Sequence, residues 1–126
     1  MPVLLFHPRF HAPILAGTKR QTIRGKVASR GIEPGKTISL RAWEAKSYRS
    51  PQVVIREVLC LGIHRINMTI KFKSINVRID SQTLTKDEVE DFIRADGFAS
   101  IEDFREHWLK AQCTHFSGHL IRWAPL

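Results

Sequence analysis

A chain of 126 residues, 43% hydrophobic and 25% charged, predicts one domain over residues 1–126, because domains run at roughly 100–200 residues and a chain of this size buries about two thirds of its unfolded surface. This composition excludes a disordered tail, a collagen and a coiled coil. No apolar run approaches the ~18–20 residues that cross a bilayer, so no membrane span is expected.

Twenty basic against twelve acidic side chains leave a net charge of +8. Residues 1–78 carry 15 basic and 3 acidic side chains, a net +12, and residues 79–126 carry 5 and 9, a net −4. A basic region this strong concentrates polyanions, of which nucleic acid is the commonest. The same charge also suits an acidic protein partner or plain solubility. Cys60 and Cys113 make no metal or redox spacing and read as small hydrophobes in a reducing, cytoplasmic setting. The apolar start has no basic leader or cleavage site, so no signal peptide is expected.

In chain order, Met1–Phe6 reads as a short buried strand ended by Pro8. Phe10 to Gly17 reads as a short helix, with Pro13 in its first turn and Gly17 as its left-handed exit. A polar stretch from Thr18 to Lys26 leads into a loop that closes at Pro34-Gly35, a turn signal. Thr37 to Trp43 alternates with period two and predicts a half-buried strand. After a turn at Ser50-Pro51, the β-branched run Val53–Leu61 predicts a central strand, and strand character continues through Ile75–Ile79. Thr85 and Glu88 form a capping box for a helix with Val89, Phe92 and Ile93 on one face, ended by Asp96-Gly97. Ser100 opens a second helix with Ile101, Phe104, Trp108 and Ala111 in its apolar stripe. Phe116 to Trp123 closes the chain as a strand interrupted by Gly118. Strands dominate without regular alternation with helices, which predicts a small barrel or α+β fold.

The densest candidate for chemistry is Gly17-x-Lys19-x-x-Thr22-x-Arg24. A lysine offers a mobile charge whose pKa falls on burial, a threonine a hydroxyl, and an arginine a planar fork for phosphate. The same cations also suit the last carbonyls of the preceding helix. Thr22 and Arg24 share a face of a flat strand and Lys19 does not, so cooperation of Lys19 with Thr22 needs a bend between them. Asp96 continues the apolar face of its helix and sits at the negative end of the dipole. Both features raise its pKa, and a residue that breaks two local rules is a functional candidate. The other reading is a solvated helix end.

These residues resemble the ASCH domain family of the PUA-like superfamily. The resemblance is carried by Phe10, Ile14-Leu15-Ala16-Gly17, Lys19, Thr22-Ile23-Arg24 and the turn at Pro34-Gly35. In the second half it is carried by Arg94-Ala95-Asp96-Gly97-Phe98, the helix through Trp108 and the final strand. It implies an α+β fold, a small mainly antiparallel β-barrel with flanking helices, and association with RNA and nucleotide chemistry. One branch of the family removes the acetyl group of N4-acetylcytidine with a lysine, a threonine and a glutamate. Lys19 and Thr22 match the first two, and Asp96, one methylene shorter, falls at the carboxylate. Arg20 stands where that branch has a threonine, and the second half is longer here.

The expected function is binding of RNA or a modified nucleoside in a basic cleft, with the amidohydrolase and a basic protein-interaction module as alternatives. In the hydrolase reading Lys19 is general base, Thr22 nucleophile and Asp96 proton donor or orienter. In the binding reading Arg9, Arg20, Arg24 and Lys26 are the expected basic contacts, and Trp43, Tyr48 or Phe98 the aromatic that stacks on a base. His7 and His11 lie near the motif, and His64 reads as structural. Cys113, His115 and His119 mimic metal spacing, but on a strand or turn that spacing does not converge, so neither metal nor other cofactor is expected.

Overall fold

The computed structural model describes residues 1–45 and 49–125. Its strands are β1 (Val3–Leu5), β2 (Gln21–Arg24), β3 (Thr37–Trp43), β4 (Gln52–Ile70), β5 (Ile75–Ile79), β6 (Gln82–Thr83) and β7 (His115–Pro125). Its helices are α1 (His11–Ala16), after a 3-10 turn over Pro8–Phe10, then α2 (Lys86–Ala95) and α3 (Ile101–Lys110). The local chemistry explains the boundaries. Gly17 leaves α1 at φ +83°, a conformation that costs glycine little. The Thr85 hydroxyl accepts from the Glu88 amide at 3.3 Å while the Glu88 carboxylate accepts from the Thr85 amide at 2.9 Å, so two orphan donors at the start of α2 are satisfied. Ser100 caps α3 through the Asp103 amide at 3.1 Å. That helix ends at Lys110, so Ala111 is its exposed cap and not part of the apolar stripe.

The architecture is α+β, with one mixed, mostly antiparallel sheet. The strand β4 is its spine. One edge of β4 pairs with β3 through residues 52–59 and with β5 through residues 66–70, and the other pairs with β7 through residues 58–69. Two features let so long a strand serve three neighbours. The register slips between Cys60 and Gly62, which adds local twist. Its inward positions Val58, Cys60, Ile66, Met68 and Ile70 are all buried. Among the described residues the single parallel pairing is β1 on β3.

A small, mainly antiparallel β-barrel was expected, and among the described residues the sheet does not close. Its path runs β1-β3-β4-β7-β2, and among the described residues no backbone pairing joins β1 to β2. These end strands are only three and four residues long. Side chains span the gap instead. The Arg24 guanidinium donates to the Leu5 carbonyl at 2.7 Å, and the Phe6 ring meets Trp123 edge to face at 6.0 Å. The helices α2 and α3 pack on the sheet through Val89, Phe92, Ile93 and Phe104, which join a single buried cluster with Ile38, Leu40 and Ile121.

Gly118 explains the interruption in the last strand. A Cβ there would stand 2.5 Å from the Arg24 carbonyl oxygen and 2.9 Å from the Phe116 ring, so β2 can approach β7 only over a glycine. Gly118→Ala is expected to cost roughly 1–3 kcal/mol, the range of an overpacked interior. Urea unfolding checks it, and an unchanged midpoint would contradict the close approach.

Candidate functional site

Two backbone bonds put the expected bend between α1 and β2. The Lys19 amide donates to the Pro13 carbonyl at 3.1 Å and the Arg20 amide to the Ala95 carbonyl at 2.9 Å. The first ties the segment to α1 and the second to the end of α2, so Lys19 turns inward before β2 begins. Its side chain is 2% exposed. The ammonium donates to the Asp96 carbonyl at 2.6 Å and lies 4.5 Å from the centre of the Phe10 ring. Its stem runs beneath Gly97, where a Cβ would meet Lys19 Cδ at 2.9 Å and the backbone holds φ +94°. A glycine is required there on both counts.

Thr22 and Arg24 share a face of β2, as alternation requires. Arg24 Nε donates to Thr22 Oγ1 at 3.3 Å, and the guanidinium lies 4.7 Å from the Phe6 ring. Asp96 caps the C-terminus of α2 with its side chain turned inward and is 4% exposed. Its Oδ1 stands 3.9 Å from Lys19 Nζ. That is an ion pair at a distance too long for a hydrogen bond.

These side chains line one cavity of about 340 Å³ at the gap between β1 and β2, walled by Phe6, Phe10, Phe98, His107 and Trp108. Burial pushes the Asp96 carboxyl up to about 6, against the pull of Lys19, Gln21 and Arg24. Burial likewise lowers the Lys19 ammonium to about 8, with Asp96 holding it up and Arg24 and Arg9 pressing it down. His107 is lowered by burial and by Arg9. Two of the lining residues, Asp96 and Trp108, each carry a polar atom, Oδ1 and Nε1, that is buried without a hydrogen-bond partner. One is an acceptor and the other a donor.

No family model matches the chain, and no curated protein or solved structure is significantly similar to it.

The structure therefore brings Lys19, Thr22, Arg24, Asp96 and Phe98 to one cavity. Arg9 stands beside it, 5.1 Å from the Phe10 ring and 5.0 Å from Phe98, and is paired with Asp103 at 2.8 Å. Arg20 goes elsewhere. Because Lys19 turns in, its neighbour turns out, and Arg20 lines a second cavity of about 500 Å³ with Arg122, His64 and Asp80. Lys26 is exposed in the loop after β2, and Trp43 is half-buried on β3. Neither lines either cavity. Tyr48 lies outside the described residues. His64 is held by Asp80 at 2.6 Å. His115 and His119 lie on β7, and among the described residues no cluster of three or more metal-ligating side chains occurs. No helix of the described residues is long and apolar enough to cross a membrane.

Sequence reasoning passed over Phe6, His107 and the indole of Trp108 as site residues. A signal existed for the last two, since positions 104, 107 and 108 share one stripe of a helix. A histidine within that stripe marks a place where the apolar face meets something polar.

Proposed function

We propose that the chain binds RNA or a modified nucleoside, with one nucleobase in the cavity between β1 and β2. The observation that carries this reading is that two residues of one aromatic-walled lining, Asp96 and Trp108, each hold a buried polar atom, Oδ1 and Nε1, that makes no hydrogen bond. A buried polar atom without a partner costs about 1–3 kcal/mol, so a ligand offering one donor and one acceptor gains twice on entry. A base edge offers both, and its faces suit phenylalanine walls. Lys19 and Arg24 add cationic donors, and Arg9 extends the positive charge at the rim. The finer architectural reading, an ASCH-type, PUA-like barrel, belongs to the same proposal. It is supported by the link that Arg24 on β2 makes to the Leu5 carbonyl of β1, the two end strands of the sheet's path. Titration calorimetry with cytidine, N4-acetylcytidine, uridine, adenosine and guanosine tests the reading. Binding of at least one nucleoside, weakened at least about tenfold in Asp96→Asn as a charged hydrogen bond is lost, is the expected result. No heat and no rise in Tm with any of them would overturn it.

A second reading, the N4-acylcytidine amidohydrolase, is favoured by one specific arrangement. Arg24 Nε donates to Thr22 Oγ1, which leaves the hydroxyl its own proton to give, and Lys19, in the same lining and lowered to about 8, would take it as the free amine. The oxygen would attack the acyl carbon, and the C–N4 bond would break as the Asp96 carboxyl or the Lys19 ammonium returns a proton to N4. Water would then cleave the threonyl ester to acetate. Release of cytidine from N4-acetylcytidine, lost in Thr22→Val, would establish this reading, and binding without release would leave the first alone.

A further inference from the structure

Phe72 is the most exposed large hydrophobic side chain among the described residues, at 81%. It sits at the tip of the β4–β5 hairpin, in a tight turn closed by the Lys71 amide on the Ser74 carbonyl at 2.8 Å. Lys71 and Lys73 flank it, both exposed, and no ion pair of the described residues uses either. From Val58 to Ile79 the chain holds Arg65, Lys71, Lys73 and Arg78 and no acidic residue. The hairpin is thus a uniformly basic arm ending in one bare aromatic ring.

We propose that this tip is a second contact for single-stranded RNA, in which one base stacks on Phe72 and the flanking phosphates meet Lys71 and Lys73. The proposal rests on the reading of the cavity as a base site and deepens it, since it makes the partner a strand and not a free nucleoside. The charge decides against an apolar protein partner, because a ring between two unpaired lysines on an acid-free arm complements a polyanion. The single ring decides against a bilayer, which needs a broad apolar face for stable binding. A base needs one ring. The spacing also fits. Trp108, in the cavity wall, lies 5.2 Å from the Phe116 ring, and Phe116 pairs with Met68. Phe72 follows four residues later, just past the end of β4 at Ile70, and so lies at most roughly 13 Å further on. A strand of a few nucleotides reaches from one contact to the other.

Fluorescence anisotropy of the full chain with a labelled pyrimidine RNA of about ten nucleotides tests this. Phe72→Ala is expected to weaken RNA binding roughly five- to hundredfold, the effect of one lost stacking contact, and Phe72→Trp to restore it. The double variant Lys71→Ala/Lys73→Ala should flatten the dependence of log affinity on log salt by about 1.4, at ~0.7 per phosphate contact on a single strand. Nucleoside affinity, set by the cavity, should not change in these variants. Unchanged RNA affinity in Phe72→Ala overturns the proposal, and so does loss of binding to phosphatidylserine vesicles in place of RNA. RNA binding that depends on Phe72 in a protein that binds no nucleoside would sustain the hairpin contact and overturn the cavity reading.

Discussion

Lys19→Ala is expected to destabilise the fold by about 3–5 kcal/mol at neutral pH and to remove ligand binding, because it breaks one half of a buried ion pair and leaves the other. Asp96 would then be buried without its ammonium, and its own carbonyl would lose the 2.6 Å hydrogen bond from Lys19. The carboxyl would escape part of this penalty by taking up a proton, since the pull of Lys19 is what holds its pKa down against burial. The loss should therefore shrink as the pH falls below about 6. Two further variants separate charge from packing. Lys19→Met keeps the stem that fills the space beneath Gly97 and against Phe10 but removes the charge. The double variant Lys19→Met/Asp96→Asn removes both charges with little change of volume, and replacing a buried pair by uncharged groups of similar size is often neutral. It should recover most of the stability while leaving binding abolished. Urea unfolding beside nucleoside calorimetry reads both quantities. A Lys19→Ala protein as stable as the parent would mean that the pair is not held as described.

The helix ends were legible because their chemistry is local. A threonine with a glutamate three residues on, or a glycine after an apolar turn, specifies a boundary within a few residues, and α1, α2 and α3 end or begin at those signals. Asp96 was legible for a related reason, since the apolar register of Val89, Phe92 and Ile93 carries one step beyond the helix and points it inward. The contrast between Lys19 and Arg20 was not legible. Which of two adjacent cations is buried depends on bonds to Pro13 and Ala95, and the second lies far along the chain. The extent of β4 was hidden by the slip between Cys60 and Gly62, which breaks the period-two pattern at a point where a strand otherwise reads as ended. Closure of the sheet was out of reach too. It turns on whether two very short strands meet by backbone or by side chain, and here Arg24 and Phe6 fill the gap.

The affinity for a nucleoside is expected to pass through a maximum between about pH 6 and pH 8, while stability from the same two groups passes through a minimum there. In that window Asp96 has lost its proton and Lys19 still holds one, so the cavity presents an acceptor and a cationic donor together. Their contributions to stability run the other way. Asp96 is raised from the ordinary 3.8 to about 6, so the unfolded chain gives up this proton first and the stabilisation present at low pH is lost as pH rises to about 6. Lys19 is lowered from 10.5 to about 8, so above 8 the unfolded chain holds the extra proton and stability rises with pH towards about 10.5. Each pH unit of separation corresponds to about 1.4 kcal/mol. Urea midpoints across this range should dip between the two values in the parent protein and lose the dip in Lys19→Met/Asp96→Asn. Calorimetry over the same range separates the two functional readings. A binding site weakens above pH 8 as the ammonium is lost, whereas a hydrolase that needs Lys19 as a free amine gains kcat/KM through that same step. An affinity that stays flat from about pH 5 to 9 would remove both charges from recognition and leave the aromatic walls to account for it.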